Sequence, residues 1–115
     1  MEPLYGRSGE VHAWLEVETA RIINLRGKHV GFLGGDSVYS WSGKHLAWWY
    51  GDHMRDHTGR VAMFTRKARG LGPILPALGS LPPRPAVAPV PPKPARGTKP
   101  KLPEVSKSWA LTLPF

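Results

Sequence analysis

The chain of 115 residues contains no cysteine. This absence excludes disulfide bonds, a thiol nucleophile and thiolate ligands for a metal. No apolar run approaches the roughly 20 residues that a membrane-spanning helix needs. The first residues, Met1 to Tyr5, also lack the basic and apolar regions of a secretion signal. We therefore expect a protein of a reducing compartment, located in the cytoplasm.

Acidic side chains are nearly absent from the second half of the chain. Residues 1–65 carry seven basic and seven acidic side chains, whereas the residues from 66 onward carry nine basic ones against Glu104 alone. The whole formal net charge of +8 therefore lies beyond residue 65. We expect this region to attract anionic partners, with a strength that falls as salt rises.

One motif is present four times between Leu4 and Thr65. Each copy places apolar residues around a polar turn that ends in glycine, and an aromatic residue follows five positions later. The glycines are separated by 18, 16 and 16 residues, which is the length of one β-hairpin per copy. The turn glycines are Gly9, Gly27, Gly43 and Gly59, and the aromatic residues are Trp14, Phe32, Trp48 and Phe64.

The turns predict type I geometry with a glycine bulge, because Asn24, Ser40 and Asp56 can accept backbone hydrogen bonds and glycine adopts the left-handed conformation without strain. In such a hairpin we expect the residue five before the glycine to oppose the residue three after it. This pairing puts four aliphatic residues and the four aromatic ones on a single buried face. The predicted core is Leu4, Ile22, Val38 and Met54 with Trp14, Phe32, Trp48 and Phe64.

The predicted fold is all-β: a small quasi-symmetric barrel or ring of four hairpin repeats over residues 1–68. The opposite face of the hairpins is amphipathic, since it includes Tyr5, Ile23 and Tyr39. Three candidates can cover this face: the C-terminal part of the chain itself, a second copy, or an apolar ligand.

Proline dominates residues 69–105, which we predict to be a disordered basic linker of polyproline II character. Within it, Pro91 to Arg96 match a PxxPx(Arg) peptide of the kind that aromatic grooves bind, although a spacer is the simpler interpretation. Apolar residues return at 106–115, where strict alternation predicts an extended docking segment. It docks either on its own barrel or on a protein partner through Trp109, Leu111, Leu113 and Phe115.

The tandem hairpins with polar-x-x-glycine turns, the aromatic residue after each turn and the proline-rich tail with its terminal tryptophan segment resemble the bacterial four-fold beta-flower domain proteins. The resemblance covers roughly residues 3–68 and the layout of the tail. It implies a shallow β-barrel with an apolar interior and no established activity. A more distant similarity to tubby-type β-barrels implies association with lipid or membrane as an alternative.

Histidines near the turns are the candidates for metal chemistry. His29 and His45 occupy equivalent positions, and a second group surrounds residues 52–57. Two imidazoles and a carboxylate can hold zinc, yet these spacings match no recurrent ligand pattern. We therefore predict neither a metal nor another cofactor. The second group is Asp52, His53, Asp56 and His57.

The residue types of a nucleophilic triad are present in Ser40, Ser42, His45 and Asp52, but nothing resembles a nucleophile elbow. Gly34 to Asp36 form a hairpin connection and not a phosphate cradle, because no helix follows. The sequence thus predicts no catalytic residue. We expect a nonenzymatic interaction or tethering module with a protein partner.

Two other functions stay open at this stage. The first is a module for lipid, an apolar ligand or an anionic membrane surface, in which the four aromatic residues line a shallow mouth. The second is weak nonspecific binding of nucleic acid by the basic tail, beside exposed aromatic residues such as Trp41, Trp49 and Tyr50. Specific recognition of nucleic acid is not expected, because the predicted barrel is electrically neutral.

Overall fold

The computed structural model describes residues 1–115, which form an all-β structure of eight strands. Each strand pairs antiparallel with its neighbours in sequence, and the last strand returns to the first, so that the barrel is closed. The predicted fold class is confirmed. The chain folds without any helix that has the length and apolarity to span a lipid bilayer. The strands are β1 (Glu2–Tyr5), β2 (Val11–Glu16), β3 (Arg21–Asn24), β4 (His29–Gly34), β5 (Ser37–Ser40), β6 (His45–Trp49), β7 (His53–Arg55) and β8 (Val61–Phe64).

The four hairpin turns share one backbone geometry. Their glycines have φ between +82° and +91°, the left-handed region that a side chain disfavours. In the second turn, the Oδ1 atom of Asn24 accepts the backbone N–H groups of Arg26 and Lys28 at 2.9 and 3.0 Å. Ser40 and Asp56 cap the third and fourth turns in the same way. The first turn begins with Gly6, which offers no such side chain.

The predicted pairing of the residue five before each turn glycine with the residue three after it is wrong by one residue. Tyr5 opposes Val11 and Leu4 opposes Ala13, with a bulge at His12, and each of the other three hairpins contains the equivalent shift. A shift of one residue moves a side chain to the other face of a sheet. The aliphatic and the aromatic sets therefore lie on opposite faces instead of sharing one.

The inner face of the barrel carries the aliphatic set, whose four residues come from the four hairpins, belong to one cluster and are 0% exposed. The outer face carries the four aromatic residues, and these are also buried, at 1–3% exposure. A barrel this small needs a cover over that outer face. The inner set is Leu4, Ile22, Val38 and Met54, and the outer set is Trp14, Phe32, Trp48 and Phe64.

The proline-rich region supplies the cover, so the expectation of a disordered linker over residues 69–105 is not met. Four backbone N–H groups, spaced nine residues apart, donate to the carbonyl oxygens of the four turn glycines at 2.6–3.0 Å. We call residues 72–107 the strap. It passes the hairpins in chain order. Burial of the outer aromatic rings holds it on the barrel. The pairs are Gly79 with Gly9, Ala88 with Gly27, Gly97 with Gly43 and Ser106 with Gly59.

The strap contains a nine-residue repeat of prolines. Two prolines three residues apart recur in each copy, and of these eight only Pro100 is exposed, whereas Pro83, Pro89 and Pro92 between them are all exposed. A contact every three residues is the period of polyproline II, whose rise of about 3.1 Å per residue gives the strap a length of about 110 Å. The molecule is a disc of 37 × 36 × 22 Å, so this length matches its circumference. The repeat prolines are Pro73 and Pro76, Pro82 and Pro85, Pro91 and Pro94, and Pro100 and Pro103.

The last residues, 108–115, which we call the plug, lie on their own barrel. Trp109 pairs with Val61 in a parallel bridge, and its ring lies 5.8 Å from that of Phe64. Leu113 and Phe115 pack against the inner cluster. Leu111, in contrast, is 79% exposed, because the chain bends after Ala110. The expected single apolar side of Trp109, Leu111, Leu113 and Phe115 is therefore broken at Leu111.

Candidate functional site

Arg55 joins the two ends of the strap. The residue is 3% exposed, and its guanidinium donates to the carbonyl oxygens of Leu71, Ser106 and Gly59 at 2.8, 2.6 and 2.8 Å. Leu71 immediately precedes the strap and Ser106 is its next-to-last residue, so one side chain closes the circle. We call this arrangement the clasp. Hydrogen bonds from a charged donor are stronger than neutral ones, and here three backbone acceptors depend on the same donor group.

A second layer of contacts orients Arg55. Its Nε atom donates to Nε2 of His53 at 3.0 Å, and Nδ1 of His53 lies 2.6 Å from Oδ1 of Asp52. His53 therefore carries its proton on Nδ1 and is neutral, since Nε2 must accept. Burial lowers the pKa of His53 in spite of the hydrogen bond to Asp52. Burial also lowers the pKa of Arg55, which stays charged, while Tyr50 and Asp52 oppose the shift.

A second polar chain runs beside the third hairpin. Lys99 Nζ lies 2.9 Å from Asp36 Oδ1, which also accepts the Ser37 hydroxyl at 3.0 Å. Ser37 Oγ contacts Nε2 of His45 at 3.0 Å, and Nδ1 of His45 lies 2.9 Å from Nε2 of His57. The hydrogen bond from Lys99 lowers the pKa of Asp36. Burial, together with the neighbouring His57, lowers the pKa of His45.

Of the residues that the sequence offered for metal binding or catalysis, these contacts join only His53 to Asp52, His45 to His57 and Ser40 to Ser42. His29 bonds to the carbonyl oxygen of Ala88 in the strap at 2.9 Å, whereas His45 bonds to Ser37 and His57. The hydroxyl of Ser40 contacts that of Ser42 and not His45. No group of three or more His, Cys, Asp or Glu side chains has an arrangement suited to a metal ion.

Both depressed histidine pKa values make the fold sensitive to acid. Unfolded histidine has its ordinary pKa of 6.5. Below that pH the unfolded chain binds more protons than the folded one, so the free energy of unfolding decreases as the pH decreases. We expect a lower free energy of unfolding at pH 5 than at pH 7.5, measured by denaturant titration. His53→Gln, which does not titrate, should make the dependence shallower. If the substitution leaves the dependence of the free energy of unfolding on pH unchanged, His53 is not a source of the sensitivity to acid.

Basic side chains of the strap lie over the outer aromatic rings. The charged ends of Lys93 and Lys99 are 5.6 and 5.5 Å from the ring centres of Phe32 and Trp48. Such cation–π contacts are favourable, most of all where water is excluded. The remaining pairs are Arg84 over Trp14 at 6.0 Å and Arg96 over Tyr39 at 5.8 Å.

This arrangement changes two of the expectations from the sequence. The PxxPx(Arg) segment turns Pro91, Pro94 and Arg96 toward its own barrel. The four aromatic rings also do not line an open mouth. The surface clefts of about 190, 280 and 110 Å³ are bordered instead by the plug or by the start of the strap, and Phe64 is the only member of the aromatic set beside any of them.

The solvent side of the tail carries most of the exposed apolar surface. Of the 11 large hydrophobic side chains that are exposed, eight lie beyond residue 68. The same part of the chain carries seven basic side chains against one acidic side chain, Glu104. The strap therefore presents both kinds of group along the perimeter of the disc. The eight are Ile74, Leu78, Leu81, Val87, Val90, Leu102, Val105 and Leu111.

Reasoning from sequence missed both the clasp and the strap. The nine-residue recurrence of proline pairs was a detectable signal, because a disordered linker has no reason to keep a period. Arg55 also had a signal. It occupies the position at which the other hairpins have Tyr5, Ile23 and Tyr39, and a lone arginine among apolar equivalents indicates a buried acceptor set.

The fold defines a class: closed barrels of four antiparallel hairpins, here encircled by the chain's own proline-rich strap. Residues 2–115 match the family described as 4-fold beta flower protein, and the chain belongs to that family. The match includes the strap and the plug as well as the barrel. The beta-flower family is not a known enzyme family. No curated protein and no solved structure matches the chain.

Proposed function

We propose that the protein is a nonenzymatic interaction module that binds an acidic protein partner through the outward side of its strap. The observation that carries the proposal is the exposure of aliphatic side chains along residues 72–107 together with that of Lys101 and Lys107, the two basic side chains of the strap that do not lie over an aromatic ring. Apolar contacts supply affinity at a protein interface, and charge complementarity supplies orientation and rate.

The attachment of the strap supports a protein partner. A flexible basic arm binds phosphates loosely, whereas a strap held at four glycines keeps its side chains in fixed positions. Fixed positions lower the ordering cost of association. The charges are also unevenly placed. Residues 72–80 carry none, and residues 99–107 carry Lys99, Lys101 and Lys107 against Glu104, which gives the strap one apolar and one basic sector.

A matched pair of double variants tests this proposal. Lys101→Glu with Lys107→Glu reverses two strap charges, and Lys28→Glu with Lys44→Glu reverses two barrel charges, so both proteins have the same net charge. We expect an acidic synthetic peptide with interspersed leucines to bind the strap variant about tenfold more weakly than the wild type, a difference of about 1.4 kcal/mol. The barrel variant should bind like the wild type.

Fluorescence anisotropy at physiological salt measures the binding, with phosphatidylserine vesicles and duplex DNA as parallel probes. If both variants bind the peptide equally weakly, net charge alone determines the binding, which would contradict the proposal. If the protein binds vesicles or DNA but not the peptide, its partner is a membrane or a nucleic acid and not an acidic protein. Absence of binding to every probe would remove the proposal.

A further inference from the structure

The barrel holds the four proline repeats of the strap through the same backbone contact. In three repeats, the second proline lies 3.5–3.7 Å from the position that a Cβ atom on the facing turn glycine would occupy. These prolines are Pro76, Pro85 and Pro94. In all four, the residue three positions after the second proline donates its N–H to that glycine's carbonyl oxygen. Such regularity indicates one recognition mode used repeatedly.

The third contact region shows the chemistry of this mode most fully. Phe32 and Tyr39 stack at 5.4 Å, Trp41 lies edge-on to Phe32 at 5.4 Å, and Trp41 Nε1 donates to the carbonyl oxygen of Pro92 at 3.2 Å. We call this surface, together with Gly43, the third groove. Lys93 and Arg96 lie over Phe32 and Tyr39. An aromatic wall, a tryptophan N–H aimed at a proline carbonyl and sites for cations are features by which grooves bind polyproline II peptides.

We propose that the third groove is an autonomous receptor for basic proline-rich peptides in the polyproline II conformation, and that it takes the sequence of residues 90–98 from a separate molecule when its own repeat is released. The contacts of this repeat are local to the groove and include a single backbone hydrogen bond to the turn, from Gly97 to Gly43 at 2.6 Å. None of them requires covalent continuity with the barrel. The site faces inward, so it is independent of the outward surface assigned to an acidic partner.

Gly43 allows a sharp control. A Cβ atom at this position would overlap the carbonyl oxygen of Ala95 in the bound repeat. Gly51 has nearly the same φ, +90° against +91° for Gly43, yet nothing lies within 4 Å of the position that a Cβ atom would occupy there. Alanine therefore has to adopt a left-handed φ at both sites but clashes with the peptide at only one.

The experiment uses the full chain with its third repeat weakened by Pro94→Ser and Arg96→Ser, which we call the opened variant. A labelled peptide with the sequence of residues 90–98 is titrated and followed by fluorescence anisotropy. We expect the opened variant to bind at least tenfold more tightly than the wild type, because the tethered repeat competes at an effective concentration of about millimolar. Adding Gly43→Ala should abolish binding, and adding Gly51→Ala should retain it.

Three results would overturn the proposal: no binding by a folded opened variant, equal binding by the wild type, or binding that survives Gly43→Ala. If circular dichroism shows that the opened variant does not fold, the single variants Gly43→Ala and Gly51→Ala decide the question. Trypsin should then cut after Arg96 at least tenfold faster in Gly43→Ala, and equal rates would overturn the proposal. These readouts use no acidic probe, so their failure leaves the proposed function separately testable.

Discussion

Removal of residues 81–89, one repeat of the strap, should release the rest of the strap and the plug from the barrel. Each repeat spans about 28 Å at 3.1 Å per residue, and three repeats cannot follow a circumference that four fill. The clasp would then lose Ser106, or a hairpin would lose its cover. If two rings of the outer aromatic set become exposed, the lost burial costs about 1.5–3 kcal/mol for each ring. We therefore expect a loss of about 3–6 kcal/mol in the free energy of unfolding.

Chemical denaturation measures this loss, and trypsin cleavage after Arg96 and Lys107 reports the release. The matched control replaces residues 81–89 with the sequence of residues 90–98, which keeps the length and the proline spacing. We expect this control to stay within about 1 kcal/mol of the wild type, as volume-conserving changes do. If the deletion is as stable as the control, the strap does not stabilise the barrel by circling it.

The two halves of the molecule differ in how far sequence predicts them. The hairpins follow from local rules, because a turn that ends in glycine fixes its own backbone and repeats visibly at Gly9, Gly27, Gly43 and Gly59. The face assignment failed because the bulge at residues such as His12 adds one residue to each second strand. A turn signal alone does not place that extra residue, and one position decides which side chains enter the core.

The strap was harder to predict because its stability comes from the other half of the chain. Proline removes the local hydrogen bonds from which secondary structure is inferred, and the segment then resembles a solvated linker. Its order depends on distant partners, namely the turn glycines, the outer rings and Arg55. The amphipathic outer face did indicate that a cover was needed. The structure identifies the strap as that cover, and the sequence signal for it is a nine-residue proline period that matches four hairpins.

Substitution of Arg55 by methionine should strongly destabilise the protein. Methionine fills a similar apolar volume but donates no hydrogen bond, so the carbonyl oxygens of Gly59, Ser106 and Leu71 lose their shared donor. An unsatisfied buried acceptor costs about 1–3 kcal/mol. Partial rehydration at the freed strap ends limits the sum, and we expect a loss of about 3–5 kcal/mol in the free energy of unfolding.

Two variants separate the clasp from a general effect of charge. Arg60→Met removes the same charge from the same hairpin outside the clasp and should cost less than about 1 kcal/mol, as surface changes usually do. Arg55→Lys keeps the charge but lacks the planar fork that reaches several acceptors, so its stability should be intermediate. Amide hydrogen exchange at Ser106 should accelerate in Arg55→Met and not in Arg60→Met, because that N–H is protected only while the strap end lies on Gly59. Equal losses in the two methionine variants would mean that the strap closes without Arg55.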